Sequence, residues 1–186
     1  MQEEYFKYYR KSHVEVGAIY FWTATINKWN LLFKDDSYKG IIIQSLEYLS
    51  SIEKIDVFAF VIMPNHVHLI WRINYNNPKE TTVGSFKKFT AHEFLKKLRN
   101  ENPNELNKYE VLANNKQYEF WQRDSLAIPL FTKEVAFQKL DYLHNNPIAE
   151  KWNLANEPID YKFSTALFYE NGIKNYSFIK DLREEF

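Results

Sequence analysis

Two apolar, β-rich runs on either side of a Pro-Asn pair constrain this chain more than any other feature. "DVFAFVIM" (56–63) and "HVHLIWRI" (66–73) are dominated by branched and aromatic residues. The "PN" between them is turn-forming, so the pattern predicts a β-hairpin. Inside it stand two of the chain's five histidines, His66 and His68. Buried strand positions ordinarily go to Val, Ile or Leu. Residues i and i+2 of a strand share a face, with Cα atoms roughly 6.5–7 Å apart. His66 and His68 are therefore expected to project together, and Val67 and Leu69 into the opposite layer. Two imidazoles held this way suit either a shared divalent cation or a hydrogen-bonded pair at a strand edge.

The rest of the chain supplies partners for the hairpin. "AIYFWTATIN" (18–27) reads as a strand. Residues 36–52 open with acidic residues and carry helical apolar spacing, and 82–99 place Phe86, Phe89, Leu95 and Leu98 at helical intervals with lysines between them. The polar, Asn-rich stretch 100–118 suggests a loop or insertion. Residues 120–131 hold a short strand, and 132–147 read as a helix capped by Thr132 and stopped at Pro147. The aromatic stretch from "YKFSTALFYENG" onward is expected to pack on the body. No internal repeat or low-complexity tract stands out. This order predicts one α+β domain over 1–186, with a core about 15–170. Its antiparallel sheet carries helices packed on one face, as in ferredoxin-like or RRM-like folds.

Composition narrows the function classes. The 186 residues include 45% hydrophobic and 18% aromatic residues, ample for a packed core. No run approaches the ~20 apolar residues of a membrane helix, and "MQEEYFKYYRKSH" at the start has no apolar leader core. A cytoplasmic protein without membrane partners is expected. With no cysteine, thiolate metal sites and cysteine nucleophiles are excluded. Lys+Arg and Asp+Glu balance at 24 each, so any nucleic-acid contact needs segregated charge. Lys87, Lys88, Lys96 and Lys97 on the second helix are the candidate patch, against Glu93, and Arg123 is a further phosphate candidate.

The last long helix carries a second constellation. With Leu140 as the core direction and 100° per residue, Ala136 and Leu143 fall within about 60° of it. Tyr142 lies about 200° away and Asn146 about 240°. A Tyr hydroxyl and an Asn carbonyl on that face can approach one point. A surface Tyr beside a C-terminal Asn cap has the same spacing.

"FVIMPNHVHLIW" followed by "LDYLHNNPI" resembles the single-tyrosine HUH transposases, closest to the REP-associated tyrosine transposases and their insertion-sequence relatives. "LLFKDD", "SFKKFT", "FWQR" and "YKFSTA" extend the resemblance, in order, over roughly residues 15 to 170. The stretch "NPIAEKWN" departs from the basic, Gly-containing continuation of many relatives. The resemblance implies that His66 and His68 bind a divalent metal, Mg²⁺ or Mn²⁺. It makes Asn146 the third ligand and Tyr142 the nucleophile. It implies cleavage and rejoining of single-stranded or hairpin-flanked DNA through a 5′-phosphotyrosine. Family members differ on whether they act as homodimers, with the tyrosine serving its own or the partner's site.

Two other classes share parts of the pattern. A non-catalytic single-strand nucleic-acid-binding module needs a similar sheet, but the chain has no aromatic RNP signature and such a module has no use for His66 and His68. A metal-dependent hydrolase using water would leave Tyr142 structural.

Overall fold

A computed structural model describes residues 14–113 and 116–186. The opening segment read above as lacking a leader core lies outside the described residues. The main sheet has four strands: β1 (Ile19–Thr25), β2 (Ile55–Met63), β3 (His66–Ile73) and β6 (Leu126–Pro129), in the order β2-β3-β1-β6. Each neighbouring pair is antiparallel. The predicted hairpin is β2–β3, with Met63 opposite His66 across the Pro-Asn turn.

The expected α+β fold is present, with one difference in how its helices are distributed. β2 is buried at every residue, and β3 at every residue but Arg72. A strand pair that is apolar on both sides must be covered on both sides. On one face, Tyr20, Trp22 and Ala24 of β1 align with Trp71, Leu69 and Val67 of β3. Phe86 of α2 (Thr82–Glu101) packs edge-on against both Trp22 and Trp71, at 6.0 and 6.1 Å. Phe94 of the same helix meets Tyr38 of α1 (Asp36–Ser51) at 5.9 Å. On the opposite face, Phe21 and Thr23 align with Ile70 and His68, and α3 (Lys133–Asn145) crosses there. The helices therefore flank the sheet rather than share one side. This brings α3 to the histidines.

The free edge of β2 is closed by the end of the chain. Ile62 donates to Phe163, Thr165 to Phe60, and Lys180 to Val57. Here "YKFSTALFYENG", with α4 (Ala166–Asn171), packs on the body as expected. Such cover also protects an edge strand from pairing with another chain. The acidic tail is anchored too, because Arg72 bridges Asp56 at 2.6 Å and Glu185 at 2.7 Å.

Residues 100–118, expected to be a loop, are ordered further than their polarity suggests. A 3₁₀ segment (Pro103–Tyr109) buries Leu106 and Tyr109, and a small hairpin follows, β4 (Glu110–Ala113) and β5 (Lys116–Tyr118). Tyr109 stacks on Phe120 at 4.6 Å. Two apolar anchors outweigh a polar composition. Among the described residues no helix is long and apolar enough to cross a membrane.

Candidate active site

His66 and His68 share the α3 face of β3, as strand periodicity requires. Their rings lie 4.6 Å apart, and each residue is buried. Burial pushes the His66 pKa down to about 4, with Lys151 adding to it. It pushes His68 down to about 3, with His66 and Lys139 adding smaller effects. Both rings are therefore neutral at pH 7, the form of imidazole that coordinates a metal.

Hydrogen bonds orient both rings. Asn65 donates its amide N–H to the Trp29 carbonyl at 3.4 Å, which turns its Oδ1 toward His66 Nδ1 at 2.7 Å. His66 Nδ1 thus carries the proton, and the lone pair is on Nε2. His68 Nδ1 meets Thr23 Oγ1 at 2.7 Å, while its buried Nε2 has no hydrogen-bond partner among the described residues. A buried ring nitrogen without a partner is costly unless a ligand fills the position. Polar groups on Nδ1 that leave Nε2 open are the usual outer support of a histidine-held metal.

Asn146 follows directly on α3, at the start of a 3₁₀ turn (Asn146–Ile148). It is buried, and its side-chain amide makes no hydrogen bond among the described residues. No group of three or more His, Asp or Glu residues among the described ones can hold an ion. Side by side on the α3 face, His66 and His68 offer two neutral imidazoles as candidate metal donors.

Tyr142 lies off the buried stripe of Ala136, Leu140 and Leu143, as the helical projection predicts. The residue is 52% exposed. Its ring meets His68 edge-on at 5.5 Å and Phe21 at 5.9 Å. Lys139 holds its ammonium 5.7 Å from the Tyr142 ring and 5.5 Å from that of Phe21. His144, on the buried side of α3, bonds Thr165 Oγ1 at 2.9 Å, and Thr165 Oγ1 also accepts from the Phe60 N–H. The helix is thereby tied to β2. Sequence reasoning missed Thr23, Asn65, Phe21 and Lys139. Only Lys139 had a local signal, since it precedes Tyr142 by three helix positions.

The predicted basic patch is redistributed. Lys87 donates to the Gln122 and Arg123 carbonyls at 2.7 and 3.3 Å and to Ser125 Oγ at 3.4 Å, and burial pushes its pKa down. It staples α2 to the segment before β6, a different role from the phosphate contact expected. Lys97 pairs with Glu101, Lys88 with Glu80 and Arg123 with Glu119. Lys96 is exposed and has no ion pair among the described residues. Helix α2 covers the sheet face opposite the histidines, whereas Lys139 and Lys151 act on the histidines directly.

Residues 20–124 match the family model described as IS200-like transposase. Among solved structures, the chain is similar to a REP-associated tyrosine transposase bound to a REP hairpin. The identity is 18% and the TM-score 0.61, over 94% of this chain and 92% of that one. A Deinococcus radiodurans protein described as a transposase matches at 14% identity and a TM-score of 0.42, over 68% of this chain and 88% of that one. No curated protein matches.

Proposed function

The chain belongs to the IS200-like transposase family, and we propose that it cuts and rejoins single-stranded DNA beside hairpins, with Tyr142 as the nucleophile. The observation that carries this reading is the meeting of the Tyr142 ring with His68, whose Nε2 is buried and has no hydrogen-bond partner among the described residues. The REP hairpin bound to a structurally similar protein supports hairpin DNA as the partner.

His66 and His68, through Nε2, and Asn146, through its amide oxygen, are the residues that would hold a divalent ion. Bound there, Mg²⁺ or Mn²⁺ supplies Lewis-acid polarisation of the phosphoryl oxygens. Thr23 and Asn65 keep the two imidazoles aimed. Because these three side chains carry no negative charge, the site would hold such an ion better with a DNA phosphate beside it.

The Tyr142 hydroxyl attacks phosphorus in line with the departing 3′ oxygen. The Oη–P bond forms and the P–O3′ bond breaks. The 5′ phosphate stays on Tyr142, and the released 3′ oxygen takes up a proton. Attack by the 3′-OH of another strand reverses the step, restores the tyrosine and rejoins DNA without a nucleotide cofactor. Phe21 and His68 flank the ring on its buried side. Lys139 holds a cation where the phosphodiester must approach. The ring contact with His68 of the same chain supports Tyr142 acting in its own chain's site. Lys88, Lys96 and Arg123 are kept as outlying contacts for the hairpin stem, away from the chemistry.

The test uses 5′- and 3′-labelled single strands from DNA flanking the gene, with Mg²⁺ or Mn²⁺, on a denaturing gel. The expected product is downstream label migrating with the protein, absent in Tyr142→Phe and His66→Ala. Cleavage without an adduct would assign the site to a water-using hydrolase. Binding without cleavage would assign it to a non-catalytic module.

A further inference from the structure

The tetrapeptide Lys-Trp-Asn-Leu occurs twice, at 28–31 and 151–154, and both copies reach His66. The Trp29 carbonyl accepts from Asn65, whose oxygen bonds His66. The Trp152 ring lies 5.8 Å from the His66 ring. Trp152 is half-buried, with the Lys151 ammonium over it at 5.2 Å.

Trp29 differs. It is 59% exposed, and its ring meets no other ring or cation among the described residues. Its neighbour Lys28 is exposed and has no ion pair among them. Both residues are left-handed, at φ 55° and 57°. Bulky residues avoid that region, and two in succession are strained. The turn is nonetheless held. Trp29 N–H donates to Ile26, and the Asn30 amide donates to the carbonyls of Asn27 and Lys108. Strain kept in place by its surroundings collects at binding sites. Here its effect is to keep a large aromatic ring in solvent, on the turn bonded to Asn65, rather than to bury it.

The geometry points to Trp29 as a stacking platform for a nucleobase of the DNA strand next to the His66–His68 site, with Lys28 on an adjacent phosphate. This rests on single-stranded DNA being the substrate there. An exposed aromatic face beside a cation that has no ion pair among the described residues, on a turn whose backbone is bonded to Asn65 and through it to His66, is the arrangement by which single-strand binders hold bases without reading sequence. Lys34, exposed on the same segment, adds to the attraction.

Binding is measured by anisotropy in the full-length Tyr142→Phe protein, which cannot turn over. The probes are labelled oligo(dT) and a DNA hairpin with an oligo(dT) arm. Trp29→Ala is expected to weaken both by about 5- to 150-fold with the salt dependence unchanged. Trp29→Phe keeps most of the affinity, and Lys28→Ala lowers the salt slope by about 0.7. Trp29→Gly binds as poorly as Trp29→Ala but melts no lower than its parent, because glycine relieves the strained turn. Unchanged affinity in Trp29→Ala, an equal loss in Trp29→Phe, or a clearly lower melting temperature in Trp29→Gly would each overturn the assignment. A Tyr142→Phe parent that binds neither probe would sink the substrate reading as well. A parent that binds both with no dependence on Trp29 sinks this inference alone.

Discussion

Thr23→Val removes one hydroxyl while nearly conserving shape, and it isolates the outer support of the candidate metal site. The Thr23 Oγ1 to His68 Nδ1 bond is 2.7 Å, in the strong range for a side-chain pair. With Nδ1–H donating to Thr23, the His68 lone pair is at Nε2, on the ring edge left without a partner. Valine offers no acceptor. The ring then either keeps a buried, unpaired Nδ1–H or moves its proton to Nε2 and turns the lone pair away from the site. Only a fraction of the protein is competent at any moment, and apparent affinity falls by that fraction. Loss of such outer support typically lowers metal affinity about 10- to 100-fold, or about 1.4–2.7 kcal/mol. The assay is a Mn²⁺ titration followed calorimetrically with a DNA hairpin bound to Tyr142→Phe protein, with and without Thr23→Val. Single-turnover cleavage against Mn²⁺ provides the parallel measurement in active protein. Thr23→Ser, which keeps the oxygen, is expected to restore most of the affinity. A Thr23→Val midpoint equal to that of its parent, or a Thr23→Ser protein as weak as Thr23→Val, would refute the reasoning.

Two further outcomes follow from the same interactions. In chelator, folding stability should fall as pH drops below about 6.5. Burial holds His66 and His144 down at about 4 and His68 at about 3, from an ordinary 6.5, so the unfolded chain takes up protons that the folded one refuses. Stability supplied by these neutral rings is complete above about 6.5 and lost toward about 4, at up to about 1.4 kcal/mol per pH unit for each ring. Urea unfolding at pH 7, 6 and 5 measures this, and a flat profile would contradict it. Lys87→Met should lower stability by about 1–3 kcal/mol, because it strips donors from the Gln122 and Arg123 carbonyls. It should leave the salt dependence of DNA binding unchanged. A reduced salt slope with unchanged melting would return Lys87 to the phosphate contacts.

Much of the frame was legible locally. β1 to β3, α1, α2 and α3 follow from apolar spacing and from a cap such as Thr132, all of which depend on near neighbours. The shared face of His66 and His68 follows from strand periodicity alone. The position of Tyr142 off the buried stripe follows from helical periodicity. Motif order linked them, and the match over residues 20–124 bears out the family.

The remainder depended on which distant surfaces meet. β2 and β3 are continuous apolar runs that need cover on both faces, whereas element order alone suggested helices on one face. Only the packing decided that α3 crosses the histidine face while α2 takes the tryptophan face, and this separates the lysines of α2 from the candidate site. Thr23 and His68 are partners because of the β1–β3 register, and Lys87 is spent on carbonyls because of where 122–125 passes α2. Periodicity is a property of neighbours along the chain and survives in the sequence. A hydrogen bond between residues brought together by register and helix placement has no local trace, so it appears only when the tertiary structure closes.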